Sequence, residues 1–218
     1  MIVPLKLFDR KIFFDAVRED PFGGELDQDQ VDGMNAILDA WEHEPRSDDL
    51  RWLAYALATT MHETASTMQP IEEYEGDEQP YGAIDPETDQ GYWGRGFVQL
   101  THRENYARAD KELGLYNELS CELYAANALV PELAAEIMFQ GMAEGWFRGD
   151  EDGRHTLARY FDEDTDDPVG ARYIINGDAS KVPNWSGGIT IGDLIAGYHT
   201  AFLLALEAAT VVRADEQS

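Results

Sequence analysis

Cysteine is nearly absent: Cys121 stands alone in 218 residues. No internal disulfide is possible, and zinc sites built on several thiolates are excluded. Cations are scarce as well. There are 16 Lys plus Arg against 43 Asp plus Glu, a net charge of −27, and only four of the cations are lysines. Such a surface repels nucleic acid and anionic lipid, so neither is an expected partner. It is read equally as a device for solubility and as adaptation to high salt, where screening removes self-repulsion over roughly 3–8 Å. Long apolar runs are missing too, since none reaches the ~18–20 residues needed to span a bilayer. The opening MIVPLKLFDRKIFF sets Lys6, Asp9, Arg10 and Lys11 into its apolar patch, which does not fit a secretory signal. The expectation is synthesis in the cytoplasm, with any action outside depending on a separate release.

What is present suits one sizeable domain. Hydrophobic residues make up 44% of the chain, with no internal repeat and no low-complexity linker, so residues 1–218 are expected to fold as one unit. DRKIFFDAVRED reads as a short helix ended by Pro21, Phe22, Gly23 and Gly24. Val31, Met34, Ile37, Leu38 and Trp41 recur on one helical stripe. A third helix from Asp48 to about Thr64 is apolar on most sides and is expected to be enclosed. Residues 69–96 change character, with Gly, Pro, Tyr and acids suggesting an extended loop with a small hairpin. Helical periodicity returns at HRENYARADKELG, at PELAAEIMFQGMAEGWF and at IGDLIAGYHTAFLLALEAA, the last preceded by a Thr190…Asp193 capping pattern. The plan is α+β but predominantly α-helical, with residues 1–46 packing on a core of about 47–210.

Chemistry concentrates in HETASTMQPIEEYEG (62–76), which leaves the end of the enclosed helix. An acid there, Glu63, is expected to be half-buried among apolar groups. Desolvation favours the protonated carboxyl, the form that donates to a glycosidic oxygen. A zinc reading of His62 and Glu63 fails, because Ser66 stands where His-Glu-x-x-His needs its second histidine. Glu72 and Glu73 follow beyond Pro70, so a second carboxylate can face Glu63 across a groove. Inverting glycoside hydrolysis uses such a pair, about 6.5–9.5 Å apart. In a chain with 43 acids this spacing alone is weak.

YWGRGFVQLTHRENY (92–106) adds specificity. Gly94 and Gly96 flank Arg95 and permit close backbone approach. Tyr92, Trp93 and Phe97 offer flat faces of the kind on which sugars stack, and Gln99, Thr101 and Asn105 offer neutral hydrogen-bonding groups. Thr101 and Glu104 also match a helix capping box. Farther on, Asp162, Asp164 and Asp166 alternate as in a calcium loop, but Asp167 and Tyr173 occupy the glycine and closing-glutamate positions, so no metal or other cofactor is expected.

Together, HET…PIEEY, YWGRGFVQLTHRENY and ARYIINGD (171–178) resemble glycoside hydrolase family 19, in order from about Leu50 to Tyr198. The likeness is to its phage and prophage endolysin branch more than to plant chitinases. The resemblance implies a lysozyme-like, two-lobed domain with the substrate cleft between the lobes. It implies Glu63 as general acid and Thr101 as the hydroxyl that helps hold the attacking water. Gln99, Asn105 and Asn176 fall among groups lining sugar sites, and Arg95 on an arginine that orders the acidic centre; His62, Tyr92 and Trp93 join the candidate substrate contacts by residue type, with Trp93 equally readable as plain core. The Pro-Ile-x-Glu-Tyr pattern favours Glu73 as base, whereas a count of nine from the acid favours Glu72; Glu73 is preferred.

Departures accompany the match. Ala65 and Ser66 replace two glycines of plant members, IINGD lacks a second glycine, and the plant disulfides cannot exist. The expected function is therefore a monomeric endolysin-type hydrolase of peptidoglycan, made in the host cytoplasm and acting on the wall after release or as part of a virion. Alternatives are a chitinase, a lytic transglycosylase, and a non-catalytic acidic phage structural or glycan-binding protein.

Overall fold

The innermost helix dictates the architecture. In a computed structural model that describes residues 8–151 and 153–210, every residue from Trp52 to Met61 is buried. No helix can expose a polar face under those conditions, so α3 (Leu50–Glu63) must be surrounded. Its most extensive neighbour is α7 (Ile191–Ala209), which presents Ile195, Phe202 and Leu206 with no exposed surface. Fully burying one such side chain stabilises the fold by ~1.5–3 kcal/mol. Helix α1 (Arg10–Glu19) packs on α7, and α2 (Gln28–Glu42) packs on α3 and on α5 (Pro131–Glu144). The stripe expected on α2 is buried at Met34, Ile37, Leu38 and Trp41, with Val31 half-buried.

The surplus of acid is partly used to start these helices. Asp9 accepts from the Ile12 amide, Asp49 from that of Arg51, and Asp27 forms a full capping box with Gln30. Thr190 caps α7 by accepting from the Asp193 amide, as its sequence pattern indicates. Helix α4 (Arg103–Leu113) differs from expectation. It begins at His102 without a side-chain cap, because Thr101 Oγ1 donates instead to the carbonyl of Gln99 (2.8 Å).

Two cores result. The larger unites α1, α2, α3, α7, the short α6 (Leu157–Tyr160) and one side of α5. The smaller gathers Tyr92, Leu100, Tyr106, Cys121, Ile137 and Trp146 around α4 and the other side of α5. Phe147, just beyond α5, packs against both. Strands are few and short: β1 (Ile71–Glu72) pairs antiparallel with β2 (Arg95–Gly96), and β3 (Gly149–Asp150) with β4 (Gly153–Arg154). The β1–β2 register sets Glu72 opposite Arg95 and Ile71 opposite Gly96.

The exit from α3 is strained. Ala65, Ser66 and Met68 all adopt positive φ, +49°, +65° and +55°. Such a backbone favours glycine. Ala65 and Ser66 are the two positions where the plant pattern carries glycine. The turn they make sends the chain from Glu63 into the β1 strand.

Candidate active site

Three elements converge on Glu63. It closes α3, which anchors its backbone inside the larger core, and its side chain keeps 15% exposure. The group beside it is not apolar, contrary to the sequence expectation. Arg172 Nη1 donates a hydrogen bond to Glu63 Oε1. Arg172 sits in the 3-10 turn Gly170–Ile174, is only 2% exposed, and also grips Asp178 through Nε (2.6 Å) and Nη2 (3.3 Å). Burial opposes a charged guanidinium. Asp178 and Glu63 more than offset it and hold Arg172 more firmly protonated than a free arginine. Burial likewise works against the charge on Asp178, but the guanidinium keeps its carboxyl below the usual range. The result is a hydrogen-bonded row of Glu63, Arg172 and Asp178, and its geometry is fixed by the bidentate fork of arginine.

Glu63 opens onto a solvent-connected cavity of about 570 Å³. Glu73 lines it too, with Gln99, Thr101, Asn105, Ile175 and Asn176; Tyr81, Val98, His102 and Phe147 complete the wall. Glu73 is held by two donors: the Tyr81 hydroxyl reaches Oε1 (2.7 Å) and the Gly94 amide reaches Oε2 (3.0 Å). Partial burial and the neighbouring carboxylate push the Tyr81 hydroxyl up to about 12, so it remains a donor through the neutral range.

The strand geometry separates the two adjacent acids. Successive side chains on β1 and its continuation point to opposite faces. Glu72 therefore turns away from the cavity and binds Arg95 (2.7 Å to Nη2, 3.0 Å to Nε) and Trp93 Nε1 (2.6 Å). Arg95, almost fully buried, further donates to the carbonyl of Gly91 and the hydroxyl of Tyr106. It thus orders Glu72, one of the acids.

The neutral groups divide by what they already bind. Thr101 Oγ1 donates to the Gln99 carbonyl, which leaves its lone pairs free to accept from a water. Asn105 spends its amide nitrogen on the Thr101 carbonyl (2.7 Å). Gln99 spends its own on the carbonyls of Ile71 and Gly96 (3.1 and 3.3 Å), so it clips the hairpin while lining the cavity. Asn176 accepts from the Gly177 amide and is exposed at the rim.

Several expected sugar-facing groups lie elsewhere. Tyr92 is 4% exposed inside the smaller core, and its hydroxyl donates to the Glu122 carbonyl (2.7 Å), so it offers no face to a ligand. Trp93 does not line the cavity; Arg95 stacks 4.5 Å from its ring centroid, and a Cβ at Gly91 or Gly76 would collide with the indole at 1.7 or 2.3 Å. Phe97 is fully buried. The glycines around Arg95 serve internal packing as well, against Gln99 at Gly94 and the Ala128 carbonyl at Gly96. His62 is half-buried and does not line the cavity; burial lowers its pKa. In the acidic loop, Asp162 Oδ1 accepts from the amides of Asp164 and Thr165, so its carboxylate shapes the turn.

Arg172, Asp178 and Tyr81 are not marked as site residues by residue type, and His102, which reads as structural, lines the cavity. Two of these had a readable signal. Arg172 and Asp178 both fall inside the quoted ARYIINGD segment, and Arg172 is its one cation.

No family model matches the chain, and no curated protein matches its sequence. Similarity in three dimensions is clear. Chitinase C from Streptomyces griseus aligns with a TM-score of 0.60 at 18% identity, over 94% of this chain and 79% of that one. A glutamate-to-glutamine mutant of chitinase C gives 0.55 at 18%, covering 94% and 95%. A bacterial family 19 chitinase gives 0.54 at 19%, covering 91% and 94%. The fold is that of a family 19 chitinase. This predominantly helical, lysozyme-like fold accounts for the enclosed α3 and for the short strands beside the cavity. At such identities the likeness is one of fold, and the chemistry of the chitinase-like cavity rests on its own residues.

Proposed function

We propose that this protein is a glycoside hydrolase that cuts β-1,4 bonds of N-acetylated amino-sugar polymers, with the glycan strands of peptidoglycan as substrate. The observation that carries this reading is the placement of Glu63 and Glu73 on the wall of one solvent-open cavity, with Thr101 beside them. Glu63 protonates the leaving glycosidic oxygen. Glu73 removes a proton from a water that donates to Thr101, and that water attacks the anomeric carbon from the opposite face, inverting it. Arg172 fixes the direction of the Glu63 carboxyl, and Tyr81 with the Gly94 amide fixes that of Glu73. Neither needs to touch the sugar to matter, because reacting groups must be held to a fraction of an ångström.

The phage-lysin setting, in which the enzyme is made in the host cytoplasm and reaches the wall after release, rests on the resemblance of 62–76, 92–106 and 171–178 to that branch. Chitin is the second reading, and the chitinase fold favours it.

Turbidity of outer-membrane-stripped bacteria, followed across salt concentrations, tests the proposal. Wild-type protein should clear the suspension and Glu63→Gln should not; undiminished lysis by that variant removes Glu63 from its role. Mass spectrometry of the released fragments separates the chemistries. Hydrolysis leaves reducing ends, whereas a transglycosylase leaves anhydro-sugars lighter by one water. Cleavage of soluble chitin oligomers without wall lysis selects the chitinase reading, and binding without cleavage of either selects a non-catalytic glycan binder.

A further inference from the structure

Residues 168–192 contain a single acid, Asp178, in a chain where about one residue in five is acidic. That acid is already neutralised by Arg172, and the segment adds Lys181. The same segment supplies Ile175 and Asn176 to the cavity wall, then leaves it as a loop that returns at Thr190 to start α7. The loop is tightly tied. The Lys181 amide donates to the Asp178 carbonyl, Ile191 to Lys181 and Gly192 to Ala179, each at 2.9 Å. Inside it, Ser186 is buried, and its hydroxyl lies 2.9 Å from the Pro183 carbonyl and 2.6 Å from that of Ile189. Yet this anchored loop holds Trp185 out with 70% of its surface exposed, between Val182 at 48% and Ile189 at 47%. Trp41, Trp52 and Trp146 are at most 9% exposed and Trp93 is half-buried, so among the described tryptophans Trp185 alone is exposed.

An exposed tryptophan on a rigid loop has contact area that none of the described residues covers and little conformational freedom left to lose on binding. From this we infer that Trp185 is the platform of a distal subsite, where a sugar ring of a glycan strand stacks after the strand leaves the cavity past Asn176. The occupant is an anionic polysaccharide, the peptidoglycan strand. The loop springs from Asp178, which Arg172 ties to Glu63, and it belongs to the least acidic segment of a surface that otherwise repels carboxylate-bearing polymers. The site sets preference for long strands over short fragments. It rests on the glycan-cleaving reading of the cavity, but it predicts binding and so can be tested apart from turnover.

The measurement is tryptophan fluorescence in the non-cleaving Glu63→Gln protein, titrated with purified glycan strands of defined length. Long strands should alter the emission, and Trp185→Ala should abolish that change and weaken long-strand binding about tenfold, a usual effect of truncating an anchoring tryptophan. Short fragments that fill only the cavity should bind both proteins alike, and Trp185→Phe should recover most of the long-strand affinity. Equal long-strand binding with and without the indole overturns the platform. So does an equal loss for short and long fragments. Should the wild type lyse no wall while strands still bind through Trp185, the hydrolase reading fails and the platform stands. Should lysis proceed with no length preference lost in Trp185→Ala, the reverse holds.

Discussion

Arg172 donates a hydrogen bond to Glu63 across 109 positions of sequence, and the same guanidinium holds Asp178 on its other edge. Arg172→Lys keeps the charge but loses the planar fork that reaches both carboxylates. The expected result is a fall in kcat of about tenfold to a hundredfold with KM little changed, since the proposed acid loses its aim while the other cavity groups stay in place. Arg172→Met, which strands two partly buried acids, should destabilise the fold by ~3–5 kcal/mol in denaturant unfolding. A lysine variant with wild-type kcat would show that Glu63 needs no such support.

Glu72 and Glu73 are neighbours with different surroundings, since Glu72 binds Arg95 and Glu73 lines the cavity. Glu73→Gln should lower kcat by ~10²–10⁴-fold while the melting temperature stays near that of the wild type. Glu72→Gln should act the other way, with activity largely retained but stability reduced, because the buried Arg95 guanidinium loses its carboxylate. Steady-state rates and melting curves of the two variants decide the matter. The larger rate loss falling on Glu72 would transfer the role of base to it.

The left-handed turn after α3 offers a stabilising change. Ser66 holds φ at +65° with a side chain that forms no hydrogen bond among the described residues; its backbone is engaged by Gln30 and by Met61. Ser66→Gly should relieve that strain and raise stability by about 0.5–1 kcal/mol, read as a higher denaturant midpoint at unchanged slope. A lower midpoint would mean that the entropy added to the unfolded chain outweighs the strain.

Histidines set the acid limit of the fold. Burial lowers the pKa of His62, His155 and His199. Each then binds a proton less readily folded than unfolded, so the unfolded state takes up more protons once pH falls below about 6.5, and stability falls with it. Melting temperature should therefore drop between pH 7 and pH 5. His199 stacks on Phe161 (5.3 Å between centroids), and its Nε2 has no hydrogen-bond partner among the described residues. His199→Phe should flatten that acid-side slope, and an unaltered slope would assign the loss to other groups.

Salt should stabilise the protein. Its cations are already oversubscribed: Arg103 alone contacts Asp85, Glu87 and Glu122 within 3.1 Å. With a net charge of −27, the remaining acids repel one another until counterions screen them. Thermal midpoint and wall lysis should both rise from low salt toward molar concentrations. A flat response in both would remove the high-salt interpretation.

The chain order alone determined the helices, because a helix reveals itself through local periodicity. The stripe of Met34, Ile37, Leu38 and Trp41, the all-round apolarity of 52–61 and the Thr190…Asp193 cap each depend on residues within a few positions of one another. It marked Glu63 and the segments around it as candidates for the same reason, as compact runs of chemical groups. The partners of those groups were decided only by the tertiary structure. Which of Glu72 and Glu73 faces the cavity follows from the β1–β2 register, and a shift of one residue reverses it. Thr101 was free to cap α4 but turned back to Gln99. Tyr92 and Trp93 read as open aromatic faces, yet packing enclosed one and wedged the other beneath Arg95. The cation beside Glu63 came from a turn more than a hundred residues away. Long-range pairing is set by how the buried helices stack, and no local pattern encodes it.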